Sequence, residues 1–237
     1  MLSALLLVST ALFAQSSNEY LTLQGYPQHG YIEIPSDASL DTAQMTVEAW
    51  VSVCDAHSGS TCSSIAGNGY VTGWWVGICG TSMRSYFNGV GSVVTGGTLP
   101  ATPYFVHIAA VTDGTTRKHY INGTLVFQTT ETAARQTSTL PIRIGSDPNW
   151  DYMAAGSIED LRIWSVARTQ DEIRLTMYLR VVPQPSDPAF QSLQAWYRFE
   201  GDATDSWRNH HGTITGTGTG FATGSVVSPP RRRSGTP

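Results

Sequence analysis

The chain has 237 residues, 41% of them hydrophobic and only 14% charged, with a formal net charge of −4. This is enough apolar material for the core of one large domain. The acidic balance argues against a nucleic-acid binder, which needs clustered Lys and Arg to neutralise phosphates, and the one basic run, Arg231 to Arg233, lies near the C-terminus.

Residues 2–14 form an apolar run of signal-peptide length, too short to span a bilayer, so 1–14 reads as a leader and the protein as secreted, with no membrane span. The n-region nevertheless lacks Lys or Arg. Beyond it, short alternating or β-branched runs separated by Gly, Asn and Asp turns predict one all-β domain over 15–227, a two-sheet antiparallel sandwich. Tyr31-Ile-Glu-Ile34 alternates and stops at Pro35. Met45 to Val53 places Val47, Ala49 and Val51 on one face, with Glu48 and Trp50 on the other.

Three cysteines follow, Cys54, Cys62 and Cys79, and one disulfide with one leftover thiol is expected. Cys54 and Cys62 bracket a polar loop, while Cys62 and Cys79 could face each other across a hairpin turning near Tyr70 and Val71. Sequence leaves both pairings open. In Gly73-Trp-Trp-Val-Gly-Ile-Cys79, alternation puts Trp74, Val76 and Ile78 on a core face and turns Trp75 outward beside glycine. Asp113-Gly114 and Asn122-Gly123 predict consecutive type I′ hairpins. Asn122-Gly-Thr124 is also a glycosylation sequon on a hairpin tip. Ile158, Leu161, Ile163 and Trp164 mark a strand, and Thr169 with Glu172 makes a capping box for a short helix near 170–178. Pro183 to Ser192 is a polar linker before a strand at Leu193 to Phe199. Thr213 to Gly224 is rich in Gly and Thr, and 228–237 reads as a disordered basic tail.

Four segments in this order, Met45-Thr-Val-Glu-Ala-Trp-Val51, His107-Ile-Ala-Ala-Val-Thr-Asp-Gly114, Tyr120-Ile-Asn-Gly123 and Gly156-Ser-Ile-Glu-Asp-Leu-Arg-Ile-Trp164 with its capped helix, resemble laminin-G-like domains of the concanavalin A-like lectin/glucanase superfamily. The resemblance implies a jelly-roll sandwich that closes with Asp205-Ser206 and Asn209-His-His-Gly-Thr213. The same closing text can open a second copy, so a truncated tandem repeat is the rival reading. It also implies a structural Ca2+ held by Glu159, at the place of the family's usual Asp, although the partner segment Leu23-Gln24-Gly25 lacks the family's acidic residue. Asp147, in Gly145-Ser-Asp-Pro148, is a second candidate ligand in a turn-forming context.

The superfamily's glucanases carry a Glu-x-Asp-x-x-Glu strand, and none is present here. Glu159-Asp160 and Asp171-Glu172 are adjacent pairs, expected to point apart. Non-catalytic recognition of an extracellular or cell-surface glycan or glycoprotein is therefore the leading expectation. Trp75, and the loop Asn149, Trp150, Asp151, Tyr152, are the candidate stacking and hydrogen-bonding groups. A self-assembling subunit of a coat or filament, with the Gly/Thr-rich C-terminal region adding a strand to a neighbour, is the alternative, and a glycoside hydrolase-like enzyme the third. Trp50, Trp164, Trp196, His107, His119 and the Trp207/His210/His211 group read as structural.

Overall fold

Residues 19–25, 27–53, 62–69, 72–87, 94–100, 105–131, 134–148 and 154–224 are described by a computed structural model of the chain. The leader, Cys54, the Tyr70-Val71 turn, Asn149 to Tyr152 and the basic tail lie outside them. The strands run β1 (Glu19–Gln24), β2 (Tyr31–Ile34), β3 (Met45–Val53), β4 (Cys62–Gly67), β5 (Trp75–Cys79), β6 (Ser82–Tyr86), β7 (Val94–Thr98) and β8 (Val106–Thr112). They continue as β9 (Thr116–Ile121), β10 (Thr124–Thr130), β11 (Ile142–Ile144), β12 (Ala155–Trp164), β13 (Leu193–Tyr197), β14 (Thr213–Thr215) and β15 (Thr219–Thr223), with one helix, α1 (Gln170–Thr176).

Two antiparallel sheets result, the sandwich expected. The eight-stranded sheet has the order β10-β9-β8-β3-β12-β1-β15, with β13 also paired to β12, and the seven-stranded sheet the order β14-β2-β11-β4-β5-β6-β7. Period-2 patterning sets their inner faces. Ile32 and Ile34 of β2, Val47, Ala49 and Val51 of β3, Trp74 just before β5, and Val76 and Ile78 within it, all enter the buried core between the sheets. The C-terminal strands join the same sheets: β13 pairs with β12, β14 with β2 and β15 with β1. The Gly/Thr-rich segment is thus paired within its own chain, where β14 and β15 each form the end strand of a sheet.

The turns depart from expectation in one place. Asn122 and Gly123 both have positive φ, 49° and 67°, as a type I′ hairpin requires. At Asp113-Gly114 only Gly114 does, at 87°. There the loop is wider, and the Asp113 carboxylate closes it by accepting from the Thr115 and Thr116 amides.

The eight-stranded sheet is covered on its outer face too. α1 begins at the capping box, with Thr169 Oγ1 accepting from the Glu172 amide and Glu172 Oε2 from the Thr169 amide. The following segment is fastened to the sheet by buried donors. Trp50 Nε1 donates to the Met177 carbonyl, and Arg162 donates to the carbonyls of Thr176 and Leu179. Glu48, fully buried, accepts from Trp164 Nε1 and Arg168 Nη1, each at 2.9 Å. The guanidinium groups of Arg168 and Arg162 lie over Trp164 and Trp196, 3.8 and 4.2 Å from the ring centroids. Phe190 packs with Trp164, Leu193 and Trp196. The three tryptophans expected to be structural are so. With both faces covered, β3 and β8 read as almost continuously buried strands.

Candidate functional site

The helix and the segment after it lie over the middle of the eight-stranded sheet, whereas among the described residues no helix lies over the outer face of the seven-stranded sheet. Strand register defines a row across it: Thr213, Glu33, Arg143, Gly67, Trp75 and Tyr86 lie side by side on β14, β2, β11, β4, β5 and β6.

Half of this row is covered. Trp75 does turn away from the core, as alternation predicts, but its ring is fully buried instead of exposed. It lies flat over Gly77, where a Cβ would come within 2.3 Å of the ring, and packs with Cys62 and Tyr86. Trp75 Nε1 donates to Ser64 Oγ at 2.9 Å, and Ser64 Oγ donates to the Ser146 carbonyl at 2.7 Å. Its role is to fix the β4–β5 hairpin to the start of the segment after β11, whose base is closed by the Ala154 amide donating to the Gly145 carbonyl. Below it the disulfide resolves the choice of pairing: Cys62 and Cys79 are cross-strand partners with Cα atoms 3.9 Å apart.

The other half is open. Tyr31 and Glu33 point outward from β2, alternating with the core residues Ile32 and Ile34. The Arg143 guanidinium sits 4.3 Å from the Tyr31 ring centroid and donates from Nε to Glu33 Oε2 at 3.0 Å. The Arg143 and Glu33 side chains keep 24% and 37% of their surface exposed. Nη1 and Nη2 of Arg143 have no partner among the described residues. Thr213 and Thr215, beside Glu33 and Tyr31, add hydroxyls. An aromatic ring with a guanidinium lying on it, two guanidinium nitrogens unpartnered among the described residues, a carboxylate acceptor and two hydroxyls stand on one sheet with balanced local charge. Such a surface can stack on an apolar ring face and hydrogen-bond hydroxyls. These residues were within reach of the sequence: the alternation in Tyr31-Ile-Glu-Ile34 already placed Tyr31 and Glu33 on the face opposite the core. The signal for Arg143, between Ile142 and Ile144, is the same.

The metal candidates are placed differently. β12 carries a bulge where its register with β3 shifts between Glu159 and Arg162, and Asp160 has φ of 50°. The bulge breaks strict alternation, so Glu159 and Asp160 do not point apart. Both carboxylates converge on Arg180, with Asp160 Oδ2 at 2.8 Å from Nη1 and Glu159 Oε1 in closer contact. Asp160 Oδ1 accepts from Trp196 Nε1 at 2.7 Å. Burial pushes the Glu159 carboxyl up to about 7 despite Arg180. Asp147 is buried in the loop after β11. Among the described residues no three His, Cys, Asp or Glu side chains gather as a metal-binding group. The Glu159 surroundings do not fit Ca2+, because a guanidinium already occupies the cation's position.

Two of the histidines are structural. His107 and His119 are buried on β8 and β9, and desolvation lowers both to about 4, so both are neutral near pH 7. His119 bridges Ser85 Oγ and the Gly96 carbonyl, each at 2.7 Å. Asp205 organises the closing turn by accepting from the amides of Trp196, Trp207, Arg208 and His210. Asn122 is exposed, with its Oδ1 accepting from the His107 amide. Among the described residues no helix is long and apolar enough to cross a membrane.

No curated protein sequence matches the chain significantly. Solved structures do. A Bacteroides ovatus protein to which carbohydrate binding is ascribed superposes with a TM-score of 0.68 at 19% identity, covering 87% of this chain, which spans 60% of that one. A native heptameric SAP-like pentraxin from Limulus polyphemus gives 0.56 at 13% identity, covering 90% and 98%. The CBM40 domain of the Ruminococcus gnavus IT-sialidase gives 0.51 at 12% identity, covering 68% and 98%. At these identities the likeness is one of fold. Residues 26–174, however, match the laminin-G-type family model directly, and the chain belongs to the concanavalin A-like lectin/glucanases superfamily.

Proposed function

We propose that this chain is a non-catalytic, secreted carbohydrate-binding module that engages an extracellular glycan or glycoprotein on the open half of its seven-stranded sheet. The observation that carries this reading is the platform of Tyr31, with Arg143 stacked on its ring and tied to Glu33, on a sheet face over which no helix lies among the described residues. The carbohydrate-binding description of the Bacteroides protein and the carbohydrate-binding module of the Ruminococcus sialidase support the ligand class, and the Cys62–Cys79 disulfide suits an oxidising compartment. Balanced local charge favours neutral sugars. The Tyr31 ring and the guanidinium lying on it together supply a flat surface for a sugar's C–H face, while Arg143 Nη donors and Glu33 and threonine oxygens fix hydroxyls. The carboxylate pair Glu159 and Asp160 is committed to Arg180 beneath the helix layer, which supports binding over hydrolysis.

The test is a glycan array with the mature protein in calcium and in EDTA, followed by titration of the best ligand against variants. Tyr31→Ala and Arg143→Gln should each weaken binding at least tenfold with an unchanged melting temperature. Full binding by both variants, with loss in Trp150→Ala, would move the site to the 149–152 segment. No binding to any glycan would remove the reading altogether.

A further inference from the structure

β1 and β13 share one lane along β12. β1 pairs with Ala155 to Ile158 and β13 with Leu161 to Trp164, and neither ladder crosses Glu159-Asp160. Two residues hold strained backbone at this break: Asp160, at φ 50°, and Phe199, at φ 59°. Because Leu161 pairs with Tyr197, antiparallel register brings the chain after Tyr197 alongside Asp160. Strain of this kind persists only where the surroundings enforce it, and it clusters at functional sites. From the other side comes β1: a Cβ on Gly201 would meet Glu19 Oε2 at 2.8 Å.

Beside the break, the segment that follows β13 frames a cleft of about 240 Å³ lined by Arg198, Phe199, Glu200, Asp202, Thr204 and Ser206. That is room for about eight waters, or for one sugar ring. The Phe199 ring is buried in the core and stacked on Tyr197, so the cleft has no aromatic platform. Its walls are rich in acceptors instead. Arg198 is ion-paired with Glu200, and Asp202 uses one oxygen to accept from the Thr204 amide. Two carboxylates, Glu200 and Asp202, stand there against one guanidinium, Arg198. Such walls select a ligand that brings hydroxyl donors of its own, and their excess negative charge disfavours anions.

We infer that the cleft at the β1/β13 break is a second carbohydrate subsite, taking one neutral sugar residue through vicinal hydroxyls. It is separate from the Tyr31 platform and shares with it only the ligand class. Binding through hydrogen bonds without stacking places its affinity in the millimolar range, useful as one arm of a two-point attachment.

The test is amide chemical-shift titration of the 15N-labelled full chain with methyl glycosides of glucose, galactose, mannose and arabinose, and with N-acetylneuraminic acid as the anionic control. Saturable shifts at 198–206 are expected with at least one neutral glycoside. They should persist in Tyr31→Ala and weaken at least tenfold in Thr204→Val/Ser206→Ala. If that double variant melts below the wild type, the two single substitutions are read instead. The inference is overturned by absence of saturable shifts with every neutral glycoside, by equal shifts with the anionic sugar, or by shifts that survive loss of both hydroxyls. Loss of the 198–206 shifts in Tyr31→Ala would also overturn it, by showing that the cleft is no separate subsite. Loss of array binding in Tyr31→Ala with these shifts intact would leave both readings standing.

Discussion

Glu159 should make the protein less stable as the solution becomes more alkaline, and Glu159→Gln should remove that effect. The carboxyl is buried in β12 and raised from 4.5 to about 7. A group whose folded pKa lies above its unfolded one binds more protons in the folded state. Its contribution is therefore full below pH 4.5 and lost as pH rises through 7. A gap of about 2.5 units at 1.36 kcal/mol each sets a ceiling of ~3 kcal/mol. Arg180 can relax when its partner becomes a neutral amide, since a quarter of its side chain is already in water. In urea unfolding with the disulfide intact, wild type and variant should coincide at pH 4.5. The variant should gain on the wild type by ~1.4 kcal/mol per pH unit up to pH 7, and be ~2–3 kcal/mol more stable at pH 8. A variant equally or less stable at pH 8 would refute the reasoning, because the ion pair would then outweigh burial. Repeating the series in calcium should change nothing. A calcium-dependent gain present in wild type and absent from the variant would show that an ion displaces Arg180.

His107 and His119 act in the opposite sense. Lowered from 6.5 to about 4, they contribute fully above pH 6.5 and lose that contribution as pH falls toward 4. Between pH 6.5 and 4.5 their two protons outweigh the one on Glu159, leaving a net loss of ~1.4 kcal/mol per unit of acidification, which doubles in Glu159→Gln; unfolding across that range checks both slopes. Trp75→Ala should destabilise by ~3–5 kcal/mol through the cavity it leaves, seen as a drop in urea midpoint. Gly77→Ala should also lower the midpoint, by ~1–3 kcal/mol, because its methyl would collide with that ring. Thr169→Ala removes the helix cap and should cost ~1 kcal/mol in the same assay.

The sheets were legible because their information is local and periodic: Met45 to Val53 and the capping box at Thr169 form where alternation and cap chemistry place them. The cysteine pairing became legible only when Cys62 and Cys79 were brought opposite each other in one ladder. Burial is less local. Alternation correctly turned Trp75 from the core, but whether an outward ring meets water depends on what packs over the sheet, and that information is spread along the chain. The bulge at Glu159-Asp160 has no periodic signature, since an extra residue only rephases the strand, and its consequence depends on Arg180, some twenty positions on. Alternation places Tyr31 on the outward face by the same rule as Trp75, but a four-residue strand carries no signal that its outward ring has a partner in Arg143, far along the chain.

Because Glu19 and Thr223 are direct partners in the β1/β15 ladder, the polypeptide enters and leaves the sandwich at one corner. A fold hung by adjacent ends can be spliced into a surface loop of a larger protein without stretching its host. A fragment trimmed to the family span of 26–174, by contrast, would discard β1, β13, β14 and β15. One flank of β12 would then be stripped of its hydrogen-bonding neighbours along most of its length, so an expression boundary for this protein belongs outside Glu19 and Thr223.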